Sequence, residues 1–161
     1  MNIFLDLENT IIDSWDNPVF LEEKIDFIKN KLQKFDSEEK TLILFSFAVD
    51  NNHSLNIFNE RLKYEIENLF NLQFSKIVLF SKDNLFKIAK QAFNIEPLVD
   101  DNINDIFLGN TKEQIFEALI LKEHLNETSI LFDDTVSNSI KEVFEDNIFS
   151  SKSTKLITIR V

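Results

Sequence analysis

The sequence predicts an α/β fold, a three-layer sandwich whose mainly parallel sheet of about five strands carries helices on both faces. Three observations carry that expectation. Short continuous apolar runs recur along the 161 residues, and a run that is apolar at successive positions suits a strand buried on both sides. Stretches with apolar residues three and four apart separate these runs, as in helices packed on a sheet. Three of the runs also end on groups suited to chemistry, namely Asp6 with Glu8, Ser46, and Asp133 with Asp134. In open α/β sheets, ligands bind outside the carboxyl ends of the strands.

The elements follow in order. "NIFLDL" (2–7) is a first strand, and "DNPVFLEEKIDFIKNKLQKF" (16–35) a first helix. Asn17 stands as its N-cap and Pro18 at N1, with Leu21, Ile25, Ile28, Leu32 and Phe35 on one stripe. "TLILFSF" (41–47) is a buried strand, and "SLNIFNERLKYEIENLF" (54–70) a helix with its stripe at Leu55, Phe58, Leu62, Ile66 and Leu69. "KIVLFS" (76–81) is a third strand and "NLFKIAKQAF" (84–93) a helix. Residues 94–110 read as an acidic loop with one apolar patch, "IFLG". "TKEQIFEALILKEHL" (111–125) is a helix opened by a Thr111–Gln114 capping box. "SILFDD" (129–134) is a strand, "NSIKEVFED" (138–146) a helix and "KLITIRV" (155–161) the last strand.

Bulk properties narrow the function. The length suits one domain over 1–161, with no repeat and no Gly/Pro-rich linker. Hydrophobic residues make up 43% and include 17 Phe, which points to an aromatic core. A net charge of −11 repels phosphate backbones, so no general nucleic-acid binding is expected, although a local basic pocket is compatible with a phosphorylated substrate. With no cysteine and two histidines, disulfides, thiolate chemistry and a structural zinc site are excluded. Asp6 and Glu8 interrupt any signal-peptide pattern, and no apolar run approaches the roughly 18–20 residues of a membrane span. The expectation is a soluble, cytoplasmic protein with no membrane partner.

The strand ends hold the chemistry. Asp6 and Glu8 point the same way along an extended segment, and Asp133 and Asp134 bring further acids to the same sheet edge. Clustered carboxylates repel unless a cation, a shared proton or water relieves them. An oxygen-only donor set with phosphate nearby suits Mg²⁺.

The runs "IFLDLENT", "LILFS", "NTK" and "ILFDD", in that order, resemble motifs one to four of the haloacid dehalogenase-like (HAD) superfamily of phosphotransferases. The resemblance covers nearly the whole chain and is most specific over "GNTKEQIFEALILKEHLNETSILFDD" (109–134). It implies a HAD-like Rossmannoid sheet in the order 5-4-1-2-3, numbering the five expected strands along the chain, with 155–161 at one edge. It implies a phosphomonoesterase in which Asp6 is the nucleophile forming an aspartyl-phosphate and Glu8 the acid/base. Ser46 would bind phosphoryl oxygens and Lys112 would neutralise charge. Mg²⁺ would be held by Asp6, Asp133 with help from Asp134, and the backbone carbonyl of Glu8.

Members of this superfamily often add a cap domain, but the intervals here leave only 94–110 as a small insertion, so the chain reads as capless. Two departures stand in the first motif. Asn9 replaces a Gly and tolerates the same backbone angles. Glu8 replaces an Asp, and its extra methylene displaces the carboxyl where about an ångström can cost on the order of 100-fold. The alternative function is therefore a HAD-like binding or regulatory module with weakened catalysis. A two-component receiver domain is rejected because Lys112 precedes the final acidic pair.

Other residues carry less. Lys82 rivals Lys112 but fits the motif spacing less well, and Asp134 could cap a turn instead of holding a cation. "DDNIND" (100–105) lacks the Gly and terminal Glu of a calcium loop. His53 and His124 read as surface residues, and Trp15 as a packed aromatic or an entrance residue.

Overall fold

The computed structural model describes residues 1–35, 39–81, 83–84, 87, 112–123, 127–144 and 153–161. The chain is α/β, with one six-stranded mixed sheet. Strand β1 (Asn2–Leu5) pairs in parallel with β2 (Thr41–Leu44) on one side and β4 (Thr128–Asp133) on the other. Beyond β2 lies β3 (Phe74–Ile77), and beyond β4 lies β6 (Ser153–Arg160), both parallel to their neighbours. Strand β5 (Ser139–Phe144) closes the far edge antiparallel to β6, giving the order β3-β2-β1-β4-β6-β5.

That order corrects the expected one, because the residues read as an edge strand now lie inside the sheet. The segment 138–146, read as a helix, supplies the new edge. Its alternation decides the matter: Val143 packs toward one face and Lys141 pairs there with Glu117, while Ile140 points elsewhere and is 71% exposed. Pairing with β6 satisfies the backbone groups of a stretch too short to be stable as a lone helix. The Ser139 and Thr158 hydroxyls meet at 2.8 Å, and the Asn138 side chain accepts the Arg160 N–H at 2.9 Å, which fixes the register.

Helices α1 (Glu22–Leu32), α2 (Asn52–Arg61) and α3 (Lys63–Phe70) lie in one cluster with Ile3, Leu5, Leu42, Leu44, Ile130 and Phe132. Helix α4 (Lys112–Glu123) brings Ile115, Phe116, Ala118, Leu119 and Ile120 against Phe4, Ile43, Phe45 and Leu131. Alternate residues of each central strand thus enter opposite cores, which is why those strands are apolar throughout.

Several boundaries moved. Helix α1 starts after the expected Asn17 cap because 11–21 form their own loop: Asp13 Oδ1 accepts the Val19 N–H at 2.8 Å and Ile11 O accepts the Leu21 N–H at 2.9 Å. The expected helix over 54–70 breaks at Leu62, where φ is −115°, and starts earlier at an Asn51–Ser54 capping box. Strand β3 begins two residues before its expected start. The helix read over 84–93 lies largely outside the described residues. So do the insertion 94–110, "DDNIND", Lys82, the Thr111 cap and His124. Among the described residues no helix is long and apolar enough to cross a membrane.

Candidate functional site

Parallel pairing in register assembles the site. Leu5 pairs with Leu44 and with Phe132, so Asp6, Phe45 and Asp133 leave the sheet side by side. The Asp6 N–H donates to Phe132 O at 3.1 Å and the Phe45 N–H to Leu5 O at 2.9 Å, extending the ladder by one step. Lys112, the first residue of α4, reaches across this edge. Its Nζ lies 2.7 Å from Asp6 Oδ1 and also pairs with Asp133 Oδ2. All three groups are buried, with Asp133 wholly inaccessible. A lysine in a helix's first turn opposes the helix dipole, a cost offset here by two carboxylates at contact distance.

A threonine holds the second oxygen of each acid. Thr10 Oγ1 donates to Asp6 Oδ2 at 3.1 Å; Thr135 gives its N–H and hydroxyl to Asp133 Oδ1 at 2.8 and 2.5 Å. Asp133 Oδ2 meets the Lys112 ammonium and has no other polar partner among the described residues. The buried Ser46 hydroxyl stands close enough to Asp6 to lower its pKa. Asp134 joins Asp6 and Asp133 with ligand atoms all within 4.8 Å. Three converging carboxylates, two of them buried, are a hard oxygen donor set that fits Mg²⁺.

Glu8 sits elsewhere. Its Oε1 accepts the Trp15 N–H at 3.1 Å, which turns the carboxylate toward the loop following β1. Asn9 adopts φ 55°, the left-handed geometry that Asn tolerates. Lys24 donates to Asn9 O and, at 3.2 Å, to Val161 O, tying this loop to the end of β6. His53 is an exposed first-turn residue of α2 whose N–H caps on Asn51, and Trp15 packs partly buried against the α1 side of the core.

Burial pushes the Asp6 carboxyl above its usual 3.8, Lys112 pulls it down, and Asp133 pushes it up again, leaving it raised. A raised carboxyl binds its proton in the folded state at a pH where the unfolded chain has lost it. Stability therefore falls as pH rises from about 3.8 through the raised value. We expect that slope to be missing in Asp6→Asn, as read from urea midpoints across pH 3.5–7; an unchanged slope would place the titration elsewhere.

Asp6, Ser46, Lys112, Asp133 and Asp134 thus come together, while Glu8 does not join them through its side chain. Thr10, Thr135 and Phe47 were not singled out from sequence. A Thr two residues after Asp133 is a local turn signal that could have marked Thr135. Thr10 lies four positions from Asp6 but reaches it only because the backbone turns: Leu7 O accepts the Thr10, Ile11 and Ile12 N–H groups at 2.9–3.1 Å.

No family model matches the chain, and no solved structure matches it. The chain is similar to reticulocyte-binding protein homolog 1 of Plasmodium falciparum, at 26% identity over 163 residues. That alignment covers 98% of this chain and 5% of that protein, so the chain spans about one twentieth of the length of the curated relative it matches.

Proposed function

We propose that this chain is a Mg²⁺-dependent phosphomonoesterase of HAD-like Rossmannoid fold, a single capless domain working in the cytoplasm through an aspartyl-phosphate on Asp6. The supporting observation is Lys112, buried and bridging Asp6 and Asp133 at the carboxyl ends of adjacent parallel strands. An Asp6 oxygen attacks phosphorus as the bond to the ester oxygen breaks, and the electron pair leaves with that oxygen. Water then attacks the phosphorus of the acyl phosphate, releasing inorganic phosphate and regenerating the Asp6 carboxylate. Lys112 and the Ser46 hydroxyl offset the charge on the phosphoryl oxygens, and Thr10 holds Asp6 in aim. Mg²⁺, held by Asp6, Asp133, Asp134 and the Glu8 carbonyl, would supply electrostatic relief between anionic nucleophile and anionic phosphate.

The second reading, a binding or regulatory module with weakened catalysis, is favoured by one contact. The Glu8 carboxylate is engaged by the Trp15 N–H instead of standing with Asp6. Hydrolysis of p-nitrophenyl phosphate with and without Mg²⁺ separates the two. The enzyme reading expects Mg²⁺-dependent turnover in the wild type, changed less than about tenfold in Glu8→Asp. Turnover that appears only in Glu8→Asp assigns the module.

A further inference from the structure

Lys24 stands half-buried in the first turn of α1, on the sheet face opposite α4. A lysine in that turn opposes the helix dipole, as Lys112 does in α4. The residues three and four positions away are Phe20, Leu21, Phe27 and Ile28, so no acid at helical spacing offsets it. Its ammonium donates instead to two backbone oxygens distant in sequence. One is Asn9 O, 15 residues away, and the other is Val161 O, 137 residues away, at 3.2 Å.

Those oxygens belong to opposite halves of the acid site. Asn9 O shares a planar peptide with the Thr10 N–H, which donates to Leu7 O at 3.1 Å, so that peptide is held at both ends. Thr10 in turn holds Asp6 Oδ2 through its hydroxyl at 3.1 Å. The preceding peptide is set by the Asn9 N–H, which donates to Ile12 O at 2.7 Å. In a trans peptide the Glu8 carbonyl must then point the opposite way. On the other half, Val161 follows β6, and its N–H donates to Asp133 O at 3.1 Å.

We propose that Lys24 is a positioning residue. From the α1 face it ties the Asn9 turn to the end of β6, and so holds the Asp6 carboxylate and the Glu8 carbonyl at the spacing from Asp133 that Mg²⁺ requires. The proposal rests on the phosphoryl-transfer reading given above, and no covalent step passes through Lys24. Lys112 bridges the two carboxylates directly, whereas Lys24 ties the backbone that carries them. The turn needs such a tie because Asn9 is held at φ 55°, a conformation unfavourable to a residue with a Cβ. Mg²⁺ demands near-octahedral geometry, so drift of the turn reads out as lost affinity.

Calorimetric titration of the whole chain with MgCl₂ tests this apart from turnover. Lys24→Met is expected to bind Mg²⁺ about tenfold more weakly than wild type. Its kcat for p-nitrophenyl phosphate should fall about tenfold, with KM held within about twofold. Lys24→Arg, which keeps the charge and the donors, should recover the affinity to within about threefold. Lys31→Met makes the same change of charge in the last turn of α1, where the ammonium lies over Phe27, and should match wild type. Urea midpoints confine the comparison to folded protein, and Lys24→Gln replaces Lys24→Met should the latter not fold. Wild-type affinity in Lys24→Met overturns the positioning role, and so does an equal loss in Lys31→Met, which would make the effect one of net charge. Either result leaves the phosphatase reading standing if wild type hydrolyses the ester and Asp6→Asn does not. Weakened Mg²⁺ binding in Lys24→Met, found in a chain whose wild type lacks turnover, supports the positioning role and assigns the module. If wild type binds no Mg²⁺, both readings fall.

Discussion

Asp6→Asn is expected to lower aryl phosphate turnover by on the order of 10³-fold or more while leaving the protein folded. The amide is nearly the size of the carboxylate but is no nucleophile toward phosphorus. The fold survives because Asp6 joins the sheet through its backbone N–H, and Lys112 keeps Asp133 as partner. An uncharged amide also avoids the desolvation, and the repulsion from Asp133, that raise the Asp6 carboxyl. Steady-state turnover with thermal denaturation on the same preparation checks both halves. Wild-type activity in the variant would remove Asp6 from the reaction.

Lys112→Met is expected to act on stability as well as activity, costing about 3–5 kcal/mol at neutral pH. Two buried acids, Asp6 and Asp133, would remain, with no cation between them among the described residues. Methionine fills the stem's volume but cannot offset their charge. Part of the loss should return as pH falls, because without Lys112 the Asp6 carboxyl, already raised, protonates more readily. Millimolar Mg²⁺ should restore stability at neutral pH by another route, binding the Asp6–Asp133–Asp134 donors in the folded state alone. Urea midpoints at pH 5 and 7, each with and without Mg²⁺, give the comparison. A variant as stable as wild type under all four conditions would mean that Lys112 does not carry the charge balance of the site.

The central strands were legible because they announce themselves locally. A run such as "ILF" ending on Asp133 has apolar side chains at successive positions, and only burial on both faces accommodates that. The site was legible for the same reason: its acids are the first polar residues after such runs, and parallel neighbours end together. What escaped was set by pairing at a distance. "SIKEVF" can be written on a helix or a strand, and neither propensity nor period separates the two over six residues. The open edge of β6 decided it. Glu8 was legible as a departure, but the contact that turns its carboxylate away is made by a backbone N–H seven residues on, in a loop whose shape no periodicity encodes.

By itself, then, the sequence determined the α/β class, the central strands, and the arrival of Asp6 and Asp133 at one sheet edge, because side-chain period and the order of apolar runs are local properties of the chain, whereas Lys112 was expected there only from the motif resemblance. Tertiary structure alone decided that 139–144 is an edge strand, that Glu8 faces Trp15, and that Phe47 lies beside Lys112. Each of those depends on which backbone groups and surfaces remain unsatisfied once the rest has packed, and that is a property of the assembled fold.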